Sequence, residues 1–269
     1  SIEPRVISEV IGDIDLDLNL KKINFSANAE ILIAGCGTGQ HAITTASKYK
    51  NSEILALDLS YKSLAYAKRK AKELNCKNIN FIQGNLLDLR KLNKKFDIIE
   101  SVGVLHHMAS PLLGWETLTD CLKNDALMLI GLYSEKAREN IASIRETINS
   151  LKIKTTKKNI IKFRKNIFEN NNTTWDSIKH SPDFYSTSGV RDLLFHVQEH
   201  RFTIKKIKIH MKGLGLVFLG FEDTFVLDKF KKTHYQINDL YNLDKWEDFE
   251  RNNSRIFSGM YQFWCKKIK

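Results

Sequence analysis

The chain has 269 residues, of which 42% are hydrophobic and 27% charged, and it carries a formal net charge of +11. This length suits one large domain or a domain with an insertion, and the composition is that of an ordinary globular protein. No apolar run approaches the roughly 18 residues that a membrane-spanning helix needs, and no signal peptide is visible at Ser1. Because the first residue is not methionine, an upstream domain missing from this chain is one expectation.

Strands and helices are predicted to alternate between Glu30 and Tyr133. The predicted strands are "EILIA", "EILALD", "INFIQ", "FDIIES" and "ALMLIGLY", and the predicted helices cover residues 40–50, 61–74 and 111–122. Ser60 is the predicted N-cap of the second helix, and Pro111 begins the third. This alternation predicts an α/β fold whose parallel sheet has helices on both faces, and continuously apolar strands agree with it.

The pattern changes after Tyr133. A mostly helical and basic segment is predicted to about Asn170, followed by a long loop and a helix over "VRDLLFHVQEH". Strands six and seven are predicted at "GLVFLGFE" and "MYQFWCKKI". We therefore expect one domain over residues 1–269, with a core of 30–134 and 201–269 and a helical insertion of about 135–200. A short helix is predicted at "RVISEVIG" near the start.

The four cysteines bear on the redox compartment of the protein, and the positive charge bears on its possible partners. The cysteines are far apart with no CxxC pair, which predicts free thiols in a reducing cytoplasm and no disulfide or zinc framework. The charge indicates either a nucleic-acid or anionic-surface partner or merely solvated lysine-rich faces, and we favour the second. The strongest candidate patch is "KIKTTKKNIIKFRK", residues 152–165.

A glycine-rich loop follows the first predicted strand, in "ILIAGCGTGQHA". Gly35, Gly37 and Gly39 stand directly before a predicted helix, where bare backbone amides suit an anionic or strongly polar ligand. A dinucleotide fingerprint would require a third glycine at position 40, which is Gln40. The spacing G-x-G-x-G therefore favours a nucleoside over a pyrophosphate.

Two further polar residues are expected at the same edge of the sheet. Asp58 ends the second strand and could accept hydrogen bonds from both ribose hydroxyls of a nucleoside. Asn85 follows the third strand and could accept from an exocyclic adenine amine. The carboxyl ends of three neighbouring strands thus converge on one crevice.

Residues 31–133 resemble the class I S-adenosylmethionine-dependent methyltransferases, and more narrowly the bacterial type 11/12 methyltransferase domains, some of which are joined to tetratricopeptide repeats. The resemblance implies a Rossmann-like, seven-stranded sheet of order 3-2-1-4-5-7-6 with strand seven antiparallel. It also implies S-adenosyl-L-methionine as the cofactor and S-adenosyl-L-homocysteine as the product. The implied cofactor-binding residues are Gly35, Cys36, Gly37, Gly39, Gln40, Asp58, Leu59, Asn85, Leu86 and Ser101.

The sequence departs from that family pattern at three places. Ile33 stands where the family often has an acidic residue, so the methionine amine of the cofactor needs other acceptors. Asn85 stands where Asp is frequent, although its amide carbonyl can still accept. The segment after strand four reads "ESVGVLHHM" and lacks the Asn- or Asp-Pro-Pro-Tyr motif, which weakens DNA adenine and protein glutamine amides as acceptors.

Methyl transfer is an in-line displacement, so the protein must position the nucleophile, exclude water and accept a proton where needed. The acceptor is expected above strands four and five, with the insertion folding back as a lid. His106 or His196 is the candidate base, Arg191 could hold an anionic group by a forked contact, and Tyr133 and Tyr185 are candidate walls or donors.

"HVQEH" matches the H-x-x-E-H zinc motif, and a helix would place His196 and His200 on one face. A five-residue match is weak on its own, so no metal is expected. The predicted function is transfer of a methyl group to an oxygen or nitrogen of a small-molecule or peptide acceptor. Two alternatives stay open: an RNA methyltransferase that uses the basic surface, and a non-catalytic module that binds S-adenosyl ligands.

Overall fold

The computed structural model describes residues 28–49, 51–169, 173–234 and 236–268. The helix predicted at "RVISEVIG" lies outside these residues. The strands are β1 (Ala29–Ala34), β2 (Ser52–Asp58), β3 (Ile79–Gln83), β4 (Phe96–Val102), β5 (Leu122–Leu132), β6 (Leu216–Phe221) and β7 (Tyr261–Lys267). The α-helices are α1 (Gln40–Lys48), α2 (Tyr61–Glu73), α3 (Pro111–Cys121), α4 (Glu139–Ser150), α5 (Lys157–Glu169), α6 (Thr187–Leu194), α7 (Ile204–Gly213), α8 (Thr224–Lys231) and α9 (Leu243–Asn252).

The seven strands form one sheet of order β3-β2-β1-β4-β5-β7-β6. Strands β1 to β5 are parallel to one another, and β7 is antiparallel to both β5 and β6. The predicted Rossmann-like topology is confirmed. Because β1, β2 and β3 are parallel neighbours, their carboxyl ends lie at one edge of the sheet, where the predicted crevice is.

Hydrophobic layers cover both faces of the sheet. In β1, Leu32 packs in a cluster with side chains of α3, α7, α8 and α9, whereas Ile31 and Ile33 face the opposite cluster with side chains of α1 and α2. Successive residues of a strand point to opposite faces. A strand buried on both sides must therefore be continuously apolar, which is why these strands could be recognised in the sequence.

Local capping fixes where the helices of the core begin. The Ser60 side chain accepts from the Ser63 backbone N–H at the start of α2. The Ser110 side chain accepts from the Leu113 N–H, and Pro111 occupies the first turn of α3. Both starts agree with the prediction, since a hydroxyl satisfies an orphan N–H and proline has none to satisfy.

The segment between β5 and α7 is mainly helical and has its own hydrophobic cluster. Ile144 of α4, Phe163 of α5, and Val190 and Leu193 of α6 are buried together there. The predicted loop at 173–189 instead contains two short 3-10 helices, Thr173–His180 and Pro182–Tyr185. The division of the chain into a core and an insertion stays a prediction.

The helix predicted through His200 is wrong, because α6 ends at Leu194. Beyond it, the backbone pairs with the core instead of continuing the helix. The His200 N–H donates to the His106 carbonyl at 2.7 Å, and the Phe202 N–H donates to the Tyr133 carbonyl at 2.9 Å. His196 and His200 therefore do not share a helical face.

Two other features concern the cysteines and the helix lengths. Cys36, Cys76, Cys121 and Cys265 are all free thiols. Within the described ranges, no helix is both long and apolar enough to cross a membrane.

Candidate functional site

The three positions of the loop are occupied by glycine for different structural reasons. All have positive φ, at 84°, 52° and 88° for Gly35, Gly37 and Gly39. A Cβ on Gly35 would lie 2.3 Å from Val104 Cγ2, and one on Gly39 would lie 2.5 Å from Ala67 Cβ. A Cβ on Gly37 would meet nothing within 4 Å. Close packing thus requires Gly35 and Gly39, whereas Gly37 leaves open space against bare backbone.

The Asp58 carboxylate lies against this loop. Its Oδ2 accepts from the Gly37 backbone N–H at 2.7 Å, and its Oδ1 accepts from the Ser60 N–H at 2.8 Å. Asp58 is only half-buried. Because a carboxylate offers about four lone-pair sites, each oxygen can still accept from a ligand hydroxyl.

The next position along the edge combines an amide and an apolar surface. Asn85 Oδ1 accepts from the Leu87 N–H at 3.0 Å and so caps a 3-10 helix. Leu59 is exposed beside Asp58, and its carbonyl accepts from Gln83 Nε2 at 3.2 Å. Asn85 Oδ1 keeps one lone pair for an adenine amine, and Leu59 offers a face for a planar ring.

Four other predicted cofactor residues lie near the carboxyl ends of β1, β3 and β4. The Ser101 hydroxyl is buried and donates to the Ala34 carbonyl at 3.3 Å. Burial, assisted by the Asp58 charge, raises the pKa of the Cys36 thiol to about 12, so it remains neutral. Gln40 is exposed at the first position of α1, and Leu86 is buried beside Asn85.

Glu100 is a buried carboxylate that the sequence reasoning missed. It lies in β4 directly beside Ile33 of β1, the position where the family pattern often has an acid. Its Oε2 accepts from Thr45 Oγ1 at 2.8 Å and lies 2.7 Å from His41 Nε2. Burial opposes protonation of His41, but the Glu100 hydrogen bond and charge prevail and raise its pKa. The feature of the sequence that could have indicated Glu100 is an acidic residue within the otherwise apolar predicted strand "FDIIES".

A stacked pair of rings stands at the carboxyl ends of β4 and β5. The His106 and Tyr133 rings stack with centroids 3.7 Å apart. His106 is completely buried. Burial, followed by the neighbouring charges of His107 and Arg138, lowers its pKa to about 2. His106 is therefore neutral at physiological pH and is a weak base.

His107 and His196 form a second stacked pair, with centroids 3.8 Å apart. Both Nδ1 atoms lie near the Gln198 carbonyl oxygen, at 2.9 Å and 2.7 Å respectively. Since a carbonyl only accepts, each Nδ1 that bonds it must carry a proton, which leaves a lone pair on Nε2 of a neutral ring. At His196 the 2.7 Å contact with the carbonyl is shorter than the 3.3 Å contact between the Gln198 N–H and the same Nδ1, so we assign the proton to Nδ1. Burial lowers the pKa of His107.

A buried ion pair connects the start of α4 to the segment after α6. Arg138 donates to both carboxylate oxygens of Glu199, at 3.1 Å and 2.8 Å, with side chains 3% and 4% exposed. Arg145 adds a contact to the same carboxylate at 3.3 Å. The Arg138 guanidinium also lies 3.6 Å from the centroid of the Tyr133 ring. These contacts hold Tyr133 against the helical segment.

Tyr133 also lines a cavity of about 580 Å³. Its walls come from the end of β5 and the turn into α4, from residues 178–183, and from residues 254–260 before β7. Met260 lines it and packs against Gly131 of β5. The cavity therefore reaches the edge of the sheet that carries the glycine loop and is large enough for a small molecule or a side chain.

Other predicted catalytic residues have their contacts inside the helical segment. The Tyr185 hydroxyl is exposed and donates to the Lys179 carbonyl at 2.9 Å. Arg191 is exposed, with its guanidinium 3.5 Å from the Thr155 carbonyl. The structure thus brings His106, Tyr133 and His196 into one cluster. Over the ranges that the structure describes, no group of three His, Cys, Asp or Glu is placed to hold a metal ion.

The edge of the sheet fits the cofactor implied by the sequence. Gly37 leaves room beside a bare backbone, the Asp58 carboxylate can take hydroxyl donors, and Asn85 with Leu59 suits a purine. Such a crevice on a sheet of order 3-2-1-4-5-7-6 defines the class I S-adenosylmethionine-dependent methyltransferases. The chain belongs to the methyltransferase domain family, whose model matches residues 25–181.

Comparisons with individual proteins agree with this assignment. An uncharacterized protein of Synechococcus sp. is 30% identical over 201 residues, which are 72% of this chain and 48% of that protein. A release factor glutamine methyltransferase of Flavobacterium psychrophilum is 40% identical over 98 residues, which are 36% of this chain and 34% of that protein. The chain thus spans about half, or less, of the relatives it matches.

A solved structure, PKMT2 from Rickettsia typhi, has the same fold over most of this chain. It matches with a TM-score of 0.69 and 19% identity, covering 97% of this chain and 52% of that one. The same protein in complex with AdoHcy matches with a TM-score of 0.62 and 20% identity, covering 90% and 49%. At this identity the likeness shows the fold.

Proposed function

We propose that the protein transfers a methyl group from S-adenosylmethionine to an oxygen or nitrogen of a small-molecule or peptide acceptor held in the cavity beside Tyr133. The observation that carries the proposal is the position of Tyr133. The Tyr133 ring stacks on His106, which follows β4, and Tyr133 also lines the cavity. Gly35 packs on Val104, two residues before His106, so the glycine loop and the cavity are neighbours.

S-adenosylmethionine, when bound, supplies an electrophilic methyl group on a sulfonium leaving group. Gly37, Asp58, Leu59 and Asn85 would hold its nucleoside. The task left to the protein is to orient the acceptor and exclude water. The stacked rings and the Arg138–Glu199 pair close the site on the side of the helical segment.

Among the histidines, His107 and His196 suit contact with the acceptor better than His106 does. His106 is completely buried, and its pKa of about 2 makes it a poor proton acceptor near neutral pH. His107 and His196 are only half-buried. The Gln198 carbonyl orients both rings so that a neutral Nε2 can accept from a hydroxyl or an amine.

The test is formation of S-adenosylhomocysteine with a panel of amine, hydroxyl and peptide acceptors. With an acceptor that the wild type methylates, His107→Ala or His196→Ala should lower kcat by about 10²–10⁴, the usual contribution of a positioned proton acceptor. Affinity for S-adenosylhomocysteine should stay within a few-fold. Unchanged kcat in both variants would remove the histidines from the mechanism. Absence of turnover on every acceptor, with tight ligand binding, would favour a non-catalytic module.

Tyr185 and Arg191 enter the same assay as separate variants, because their predicted contacts with acceptor stay untested. Tyr185→Phe removes the hydroxyl bonded to Lys179, and Arg191→Ala removes an exposed cation. A rise in KM for an anionic acceptor in Arg191→Ala alone would support its predicted forked contact. Wild-type KM and kcat in both variants would exclude them from the site.

RNA is the second candidate acceptor, favoured by the net charge of +11. Binding to RNA through phosphates would fall steeply with salt, and methylated RNA would appear in the same assay.

A cytoplasmic location is also proposed, supported by the four free thiols.

A further inference from the structure

The outward side of α5 and the loop before it form a strongly basic surface, which we call the lysine face. It consists of Lys152, Lys154, Lys157, Lys158, Lys162 and Lys165. All six side chains are exposed, and Glu169 is the one acid between residues 151 and 169. Within the described part of the chain, only Lys165 of these six forms an ion pair, with Glu169 at 3.4 Å. Uncompensated positive charge is therefore concentrated here.

Large apolar side chains are exposed on the same surface. Ile161 and Phe168 of α5 are 42% and 48% exposed, and Leu151 is 63% exposed. The helix already buries Ile160 and Phe163 in the cluster of the helical segment. Its inward face is thus complete without the outward apolar side chains. The Phe168 ring contacts the rings of Phe184 and Tyr185, with centroids 5.1 Å and 6.2 Å away, and still leaves about half of its surface exposed, as Ile161 and Leu151 do.

The spacing on α5 arranges charge and apolar surface in a defined pattern. Ile161 and Phe168 are seven residues apart and lie on one stripe of the helix. Lys157 and Lys158 precede Ile161 by four and three residues, and Lys165 lies between Ile161 and Phe168 at helical-neighbour distance from both. An apolar stripe bordered by lysines is the arrangement of helices that lie in a membrane interface.

A small basic cavity lies between the segment before α5 and the side of α5 that carries Lys162. It has a volume of about 460 Å³ and is lined by Lys152, Lys154 and Lys162, with Ile153 and Phe163 as apolar walls. Three ammonium groups around an apolar floor suit a phosphate group that is attached to an apolar body. The same chemistry recurs in basic pockets that bind anionic lipid headgroups.

We propose that the lysine face docks the protein on an anionic lipid surface. Phosphate and carboxylate headgroups would meet the six lysines, while Ile161, Phe168 and Leu151 would enter the boundary of the acyl chains. Nucleic acid fits less well, because the aliphatic Ile161 and Leu151 gain nothing from phosphates. Proteins that read bases use free arginine forks and stacking aromatic rings, whereas the Phe168 ring already packs against Phe184 and Tyr185. The arginine of this helix, Arg164, already donates to the Tyr185 carbonyl at 3.2 Å.

The test is co-sedimentation with unilamellar vesicles of phosphatidylcholine, either alone or with about one third phosphatidylglycerol, at physiological salt. The wild type should bind the anionic vesicles and leave the neutral ones unbound. Lys157→Glu with Lys158→Glu should weaken partitioning roughly tenfold or more, since each lysine near such a surface contributes about fivefold. Ile161→Ser with Phe168→Ser should weaken it several-fold at unchanged charge.

The matched control is Lys68→Glu with Lys72→Glu on α2, where both side chains are exposed and the net charge changes equally. This variant should partition within about twofold of wild type. Circular dichroism and S-adenosylhomocysteine affinity should be unchanged in all variants, which separates this proposal from the methyltransferase proposal. No binding to anionic vesicles, or equal loss in the control, would overturn it. So would polyuridylate binding that is lost with the lysine pair while Ile161→Ser with Phe168→Ser leaves vesicle binding intact.

Discussion

Gly37 and Asp58 form a single unit at the edge of the sheet, because the Gly37 N–H donates to Asp58 Oδ2 over 2.7 Å. Asp58 Oδ1 also accepts from the Ser60 N–H at the start of α2. One carboxylate therefore fixes the conformation of the loop and the entry to the next helix before any ligand arrives. A site that is already ordered loses less conformational entropy on binding.

Replacing Asp58 should therefore weaken cofactor binding by two routes. Asp58→Ala removes the proposed acceptor for the ribose hydroxyls and releases the Gly37 N–H. Affinity for S-adenosylhomocysteine should fall by about 1.5–3 kcal/mol, the scale of hydrogen bonds to a charged group. Isothermal calorimetry measures this. Asp88→Ala, which removes an exposed carboxylate paired with Lys91, is the control and should bind like wild type. Equal affinity in the two variants would contradict the assignment.

The topology could be predicted from the sequence because buried parallel strands must be apolar throughout. "EILIA" and "EILALD" show this without ambiguity. Ser60 marks one helix start by satisfying a backbone N–H group, and Pro111 marks another because proline has no N–H to satisfy. The polar residues Asp58 and Asn85 were predictable for a related reason. Residues that directly follow parallel strands meet at one edge, so their proximity follows from the order of the elements.

The buried pair of Arg138 and Glu199 predicts a large loss of stability when it is broken. Arg138→Met leaves the Glu199 carboxylate buried with only the partial contact from Arg145. We expect the free energy of unfolding to fall by about 3–5 kcal/mol, measured by urea denaturation. Arg251→Met, which breaks the exposed pair with Asp248, should change it by less than about 1 kcal/mol. Similar small changes in both variants would mean that the buried pair adds little.

The contacts above β4 and β5 could not be predicted, because they depend on tertiary pairing. "VRDLLFHVQEH" has a helical pattern, yet the His200 and Phe202 amides find acceptors at His106 and Tyr133 and draw the chain out of the helix. Tertiary contacts between distant elements can override the intrinsic helix propensity of a segment. For the same reason, the shared contact of His107 and His196 with the Gln198 carbonyl could not be predicted from sequence.

Buried His106 predicts a loss of stability in acid. Its pKa is about 2 in the folded protein, against an ordinary value of 6.5. Because the folded-state pKa is depressed, His106 becomes protonated below about pH 6.5 in the unfolded chain but stays neutral in the folded protein. The free energy of unfolding is therefore unaffected by His106 above that pH. It declines by about 1.4 kcal/mol per pH unit as the pH falls toward 2.

Urea denaturation of the wild type and His106→Asn at about pH 7.5 and about pH 5 tests this. Asparagine cannot take up the proton, so the variant should lose about 2 kcal/mol less than the wild type between the two values. All other titrating groups are common to both proteins and cancel in the difference. The same loss in both would show that His106 does not control acid stability.

Alanine at Gly35 and alanine at Gly37 should have different main effects, the first on stability and the second on ligand binding. Alanine at 35 places its Cβ 2.3 Å from Val104 Cγ2, so Gly35→Ala should destabilise the fold by about 1–3 kcal/mol. Alanine at 37 meets no atom within 4 Å and brings only the strain of its positive φ, about 1–2 kcal/mol. Its methyl group would, however, occupy the open space in which we propose that the cofactor binds. Gly37→Ala should therefore fold but bind S-adenosylhomocysteine at least tenfold more weakly, the equivalent of about 1.4 kcal/mol.

Combining Gly35→Ala with Val104→Ala separates the two effects, because the smaller side chain removes the clash. The double variant should regain part of the lost stability, as urea denaturation would show, while the positive φ at position 35 keeps some strain. No such rescue is available to Gly37→Ala, since its added methyl group touches ligand space rather than protein. Wild-type ligand affinity in Gly37→Ala would mean that the cofactor lies elsewhere along the edge of the sheet.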